Sequence, residues 1–165
     1  CLVGSEMCIR DSLNTSVLVV KNYQHSWTEI RVTRDEYNNM SSDYKTGEFA
    51  NKWVNYGSTD DYYSITLSAY KDPDTGKLVK SIGDPRDSGT KNIYDYYHDF
   101  TLSEIERTLE LHKRYNNSAD YTDIPFGGEV NNCNSYTNTI NGGDLPNGIV
   151  DSPGIDKKIK NSYYE

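Results

Sequence analysis

Two strand-length runs, residues 62–70 (YYSITLSAY) and 77–82, flank Asp72-Pro73-Asp74-Thr75-Gly76, and no other stretch limits the fold as tightly. Proline presets one turn dihedral and glycine tolerates the left-handed region, so the string predicts a tight hairpin between antiparallel strands. The Asp-x-Asp-x-Gly spacing also matches the opening of a calcium loop. The remaining ligand positions and the terminal glutamate are missing, which leaves a turn.

Upstream, residues 16–21 (SVLVVK) form a β-branched run of strand length that ends at a turn-like Asn22-Tyr23-Gln24. Residues 25–33 (HSWTEIRVT) alternate, with His25, Trp27 and Glu29 on one face and Ser26, Thr28 and Ile30 on the other. Residues 34–61 read as a long polar excursion with one short strand or helical turn near 49–54, its Trp53 folding back over the core. The aromatic cluster Tyr94, Tyr96, Tyr97 and Phe100 leads into the clearest helix. Its capping box is Thr101-Leu102-Ser103-Glu104, and Leu102, Ile105, Leu109 and His112 share one face before it ends near Tyr115. A second helix is expected from Cys133 to about Ile140, with Asn132 as N-cap and Gly142-Gly143 as its stop. The Gly-, Pro- and Asn-rich tail is expected to wrap the surface near the thiol.

At 165 residues the chain fits one domain. Its net charge of −8, with lysines scattered singly, leaves no basic stripe to neutralise phosphates and argues against nucleic acid as a partner. Only 35% of residues are hydrophobic, and the fifteen tyrosines supply part of the missing apolar surface. No run of apolar residues reaches transmembrane length. Residues 1–12, CLVGSEMCIRDS, resemble translated sequencing-adapter sequence and are expected to sit loosely outside a single domain spanning 13–165. On that reading the true N-terminus is missing, and the compartment is unknown, with secretion or delivery as an effector as the options in view. Cys133 is then the only native thiol. There is no disulfide framework and no Cys-x-x-Cys pair for zinc, and no cofactor or metal is expected.

Cys133 stands where a reactive thiol belongs. A helix N-terminus presents unpaired N–H groups and the positive end of the peptide dipoles, which lowers a thiol pKa and provides oriented donors for an oxyanion. A small buried apolar residue is the competing reading of a lone cysteine. A nucleophilic thiol needs an imidazole within hydrogen-bond reach. His25 opens a strand, a rigid element that can hold a ring, and is the first choice. His98 comes second, and His112 reads as a core histidine.

The strings QHSWTEIRV around His25 and EVNNCNSYTNTI around Cys133, with the capped helix at 101–115 between them, resemble the circularly permuted papain-like enzymes. That superfamily includes permuted NlpC-type cell-wall amidases, lecithin retinol acyltransferase-like proteins and PPPDE isopeptidase-like domains. Asn132-Cys133-Asn134 and the following Tyr136 match the nucleophile string, and the likeness runs from residue 18 to 155. It implies an α+β fold, with an antiparallel sheet of about four to six strands packed on the Cys133 and Thr101 helices. It further implies Cys133 as nucleophile, His25 as general base, and the Cys133 N–H, helped by the Asn132 side chain, as oxyanion site. Asn132 has a simpler role as N-cap. Thr66, Ser64 or Tyr63 are open as a third member; Glu29 is less suited because Trp27 intervenes on its face. The expected activity is hydrolysis of an amide bond in a peptide, a peptidoglycan-like cell-wall peptide or a protein target, with acyl transfer as the variant on the same scaffold. From a different class, the chain reads as a non-catalytic, tyrosine-rich module binding glycan or protein. A glycosidase built on paired carboxylates rests only on abundant Asp and Glu, which a solvated acidic surface explains better.

Overall fold

A computed structural model describes residues 9–18, 23–57, 61–83, 93–123, 128–143, 154 and 156–165; the side chains of residues 9–18, 23–25 and 93–98 lie outside that description. The strands are β1 (Ile9–Leu18), β2 (Tyr23–Thr33), β3 (Val54–Asn55), β4 (Tyr62–Lys71), β5 (Leu78–Ile82) and β6 (Ile93–Phe100). The helices are α1 (Arg34–Asn39), α2 (Leu102–Arg114) and α3 (Cys133–Ile140).

The molecule is an α+β fold. One antiparallel sheet runs β3-β4-β2-β1-β6, with β5 also paired to β4. Leu67 pairs with both Thr28 and Ile82, so β2 and β5 take opposite edges of β4. The β4–β5 hairpin closes as the sequence predicts: the Asp72 N–H donates to the Lys77 carbonyl at 2.8 Å, and Gly76 takes a φ of 69°.

Register decides which face is buried. Ile30 lies opposite Ile65 and Thr28 opposite Leu67, and cross-strand partners share a face. Ile30, Val32, Ile65, Leu67, Ala69 and Leu78 form the sheet side of the core. Helix α2 closes it with Ile105, Thr108, Leu109 and His112, spaced three or four residues apart. A capping box starts each helix: Thr33 with Glu36, Thr101 with Glu104, and Asn132 with Ser135. Each satisfies N–H groups that would otherwise be orphaned, and loss of such a cap costs about 1 kcal/mol.

Three expectations need correction. The strand predicted at 16–21 is described from Ile9 to Leu18, its residues 19–21 lying outside the described residues; it takes in Ile9 to Ser12, expected to sit loosely, because β1 finds partners on both edges, β2 and β6. The cluster before α2 is itself a strand, β6, whose aromatic residues suit a pleated surface. The polar excursion carries α1, started by the capping box at the end of β2, as well as the 3-10 turns Ser42–Tyr44 and Gly47–Phe49 and the short β3. Trp53 does fold back on the core, meeting Tyr37 edge-on and donating through Nε1 to the Tyr44 carbonyl at 2.8 Å.

Candidate functional site

Helix α3 opens with Cys133, the expected nucleophile. All eight of its residues are buried, although its sequence is Cys-Asn-Ser-Tyr-Thr-Asn-Thr-Ile. A buried helix this polar must find partners for its side chains, and it does so against β2 and the tail. Thr137 Oγ1 donates to the Ser26 carbonyl at 3.1 Å, and Asn141 Nδ2 to Thr28 Oγ1 at 2.7 Å. On the tail side, the Ile159 N–H donates to Thr139 Oγ1 and Asn138 Nδ2 to the Lys157 carbonyl, each at 2.8 Å. Gly154 lies against the start of α3 at a φ of +83°; a Cβ there would stand 2.7 Å from Val130 Cγ1. The predicted loops at 145–149 and 152–155 otherwise lie outside the described residues.

Cys133 is the first residue of α3 and is 3% exposed. Its surroundings are polar: Sγ donates to Asn134 Oδ1 at 3.7 Å, and the backbone of Ser26, Asn134 and Cys133 itself and the side chain of Tyr121 lie near enough to pull the thiol pKa down. Burial is the largest influence and pushes the thiol up to about 11, against the downward pull of those groups. The resting sulfur is therefore a protonated thiol in a polar recess. Tyr121 and Ser26 escaped the sequence reading. Tyr121 lies in an irregular connector with no periodic signal, whereas Ser26 had a usable one, its place on the core-facing side of β2.

Asn132 caps the helix. Its Oδ1 accepts from the N–H groups of Asn134 at 3.0 Å and Ser135 at 2.9 Å, and Ser135 Oγ returns the bond to the Asn132 N–H at 2.9 Å. The oxygen is committed to the cap.

His25 stands in β2 opposite Ser16 and next in the chain to Ser26, the residue that abuts Cys133 and Asn134; its ring lies outside the described residues, as does that of His98. His112 is the core histidine the sequence predicts. It is fully buried, Nδ1 lies 2.7 Å from the Tyr136 hydroxyl, and Nε2 has no partner among the described residues. Burial first, and the Lys80 charge second, push its pKa down to about 3. Lys80 Nζ instead serves the end of α2, donating to the carbonyls of His112 at 2.9 Å and Lys113 at 2.7 Å. Of the other residues considered, Ser64 donates to Glu29 Oε1 at 3.0 Å, where Arg31 Nε also donates at 2.7 Å, and Tyr63 stacks on Tyr37 at 4.0 Å. Thr66 pairs with Glu29 across β4 and β2. Among the described residues no group of three or more His, Cys, Asp and Glu could hold a metal, and no helix is long and apolar enough to cross a membrane.

No protein-family model matches the chain, and neither a curated protein nor a solved structure matches it.

Proposed function

We propose that the chain is a thiol-dependent amide hydrolase of permuted papain-like construction, with Cys133 as nucleophile and His25 as general base. The observation that carries this reading is the setting of the sulfur. It heads a capped, wholly buried helix, where the Ser26 and Asn134 backbone and the Tyr121 side chain pull its pKa down against burial. Such groups favour the thiolate and cost no reorganisation when charge develops.

In the proposed reaction the imidazole takes the S–H proton and the sulfur attacks the substrate carbonyl carbon. The carbonyl electrons move to oxygen, held by the Cys133 N–H with the Asn132 amide nitrogen as helper. Collapse breaks the C–N bond, and the imidazolium returns its proton to the leaving amine. Water, deprotonated by the same ring, then releases the acyl group. Position 25 lies two residues from the start of β2, and strand alternation assigns it to the face opposite Ser26. The substrate class is peptide, bacterial cell-wall peptide or a protein target, with acyl transfer as the variant.

Burial of the thiol favours a second reading, a tyrosine-rich module that binds glycan or protein and uses Cys133 only for packing. Iodoacetamide labelling at mildly acidic pH separates the two. Rapid modification of Cys133 that His25→Ala abolishes supports the hydrolase, and a thiol that stays silent until the protein is denatured supports the module. Release of amine from a panel of cell-wall peptides, absent in Cys133→Ala, tests the activity itself.

A further inference from the structure

Two donors converge on one buried oxygen beside the sulfur. Ser26 Oγ donates to Asn134 Oδ1 at 2.8 Å, and Cys133 Sγ donates to the same atom at 3.7 Å. Ser26 and Asn134 are each only 2% exposed, and their bond links β2 to α3 across 108 positions of sequence. The carbonyl of Ser26 accepts from Thr137 Oγ1, so residue 26 is fastened to α3 one turn further along as well. This geometry specifies an orientation. An amide oxygen held by a neighbour's hydroxyl can only accept, so it favours a sulfur that still has its proton and opposes one that has lost it.

We propose that Asn134 is a positioning residue for Cys133, its Oδ1 holding the thiol protonated and in one rotamer, with Ser26 as the anchor that keeps that oxygen in place. The assignment deepens the hydrolase reading, in which ionising the thiol means breaking the S–H bond, leaving the electron pair on sulfur and passing the proton to His25. The contact with Asn134 must be given up at that moment. The Ser26 backbone and the Tyr121 side chain, which pull the thiol pKa down, remain to favour the anion. Residue 134 thus acts through its side chain, since its N–H is held by Asn132 Oδ1.

The test uses the full chain and needs no substrate. The S–H stretching band of Cys133 is isolated as the infrared difference between the protein and its Cys133→Ser variant, and iodoacetamide labelling of the Cys133 peptide is followed against pH. Donation to an amide oxygen lowers the S–H frequency, so Asn134→Ala should raise it, and Ser26→Ala should broaden the band by releasing the anchor. Asn134→Asp places a carboxylate beside the sulfur and should shift the labelling profile to higher pH by about one unit, roughly a tenfold slower rate at fixed pH. Asn134→Ala should move the profile to lower pH. A purely packing role would loosen the site in both variants and speed labelling in both. An unchanged S–H band in Asn134→Ala, or profiles that move together, overturns the assignment. If Asn134→Ala fails to fold, judged by its thermal melt, Ser26→Ala carries the test alone: an unchanged band there also overturns it. Absence of amide hydrolysis with these shifts present would remove the hydrolase reading and leave the positioning role intact.

Discussion

Acidification should weaken this fold through His112 before most carboxylates have titrated. The folded imidazole is pushed down to about 3 from an ordinary 6.5, because burial and the nearby Lys80 disfavour its charged form. A lowered folded pKa means the stabilising contribution is whole above the unfolded value and is lost as pH falls toward the folded one. Between about pH 7 and pH 5 the unfolded ring takes up a proton that the native ring refuses, which costs about 2 kcal/mol. Carried to the folded pKa the loss approaches 4 to 5 kcal/mol as an order of magnitude, a large part of a domain's usual stability. Urea unfolding of the protein and of His112→Gln, followed by the fluorescence of Trp27 and Trp53, measures it. Glutamine keeps a polar partner for the Tyr136 hydroxyl but does not titrate, while His25 and His98 are common to both proteins and cancel in the difference. The wild type should lose stability more steeply by about 1 kcal/mol per pH unit near pH 5.5. Parallel curves over that window, or a His112 resonance titrating near 6.5, would refute the reasoning.

Other outcomes follow from the site. Tyr121→Phe removes a hydroxyl donor to the sulfur and should slow iodoacetamide labelling of Cys133 several-fold at a pH where the thiol is partly ionised, with little change in melting temperature. Gly154→Ala forces a Cβ against Val130 at a positive φ and should destabilise the protein by about 1 to 3 kcal/mol in urea titration. Asn132→Ala, which strips the α3 cap, should cost about 1 to 2 kcal/mol by the same measurement. The raised thiol pKa of Cys133 makes its contribution complete below its ordinary value of 9.0 and lost as pH rises toward about 11, so Cys133→Ala should flatten the alkaline limb of the stability curve.

Where local chemistry decided an element, the sequence made it readable. The β4–β5 hairpin follows from a five-residue turn, α2 from its capping box and apolar stripe, and the extent of α3 from Asn132 and the glycine pair. The burial of His112 followed from its place on that stripe. α1 had a signal too, Thr33 with Glu36, but a boundary that ends β2 and starts a helix in one step is easily taken for loop. The strand character of β6 was hidden because its aromatic residues run straight into the α2 cap, where they also suit a hydrophobic lead-in. The site divides the same way. Cys133, Asn132 and Asn134 lie in one legible helix start, whereas Ser26, bonded to Asn134 across 108 positions, and Tyr121, in an irregular connector, are brought there by packing.

Helix α3 is eight residues long and contains no alanine, leucine or charged residue, so in isolation it would not hold its shape in water. It exists because β2, α2 and the tail are already there to receive it. The recess around the Cys133 sulfur therefore depends on tertiary packing: a chain in which α3 is undocked carries an ordinary cysteine.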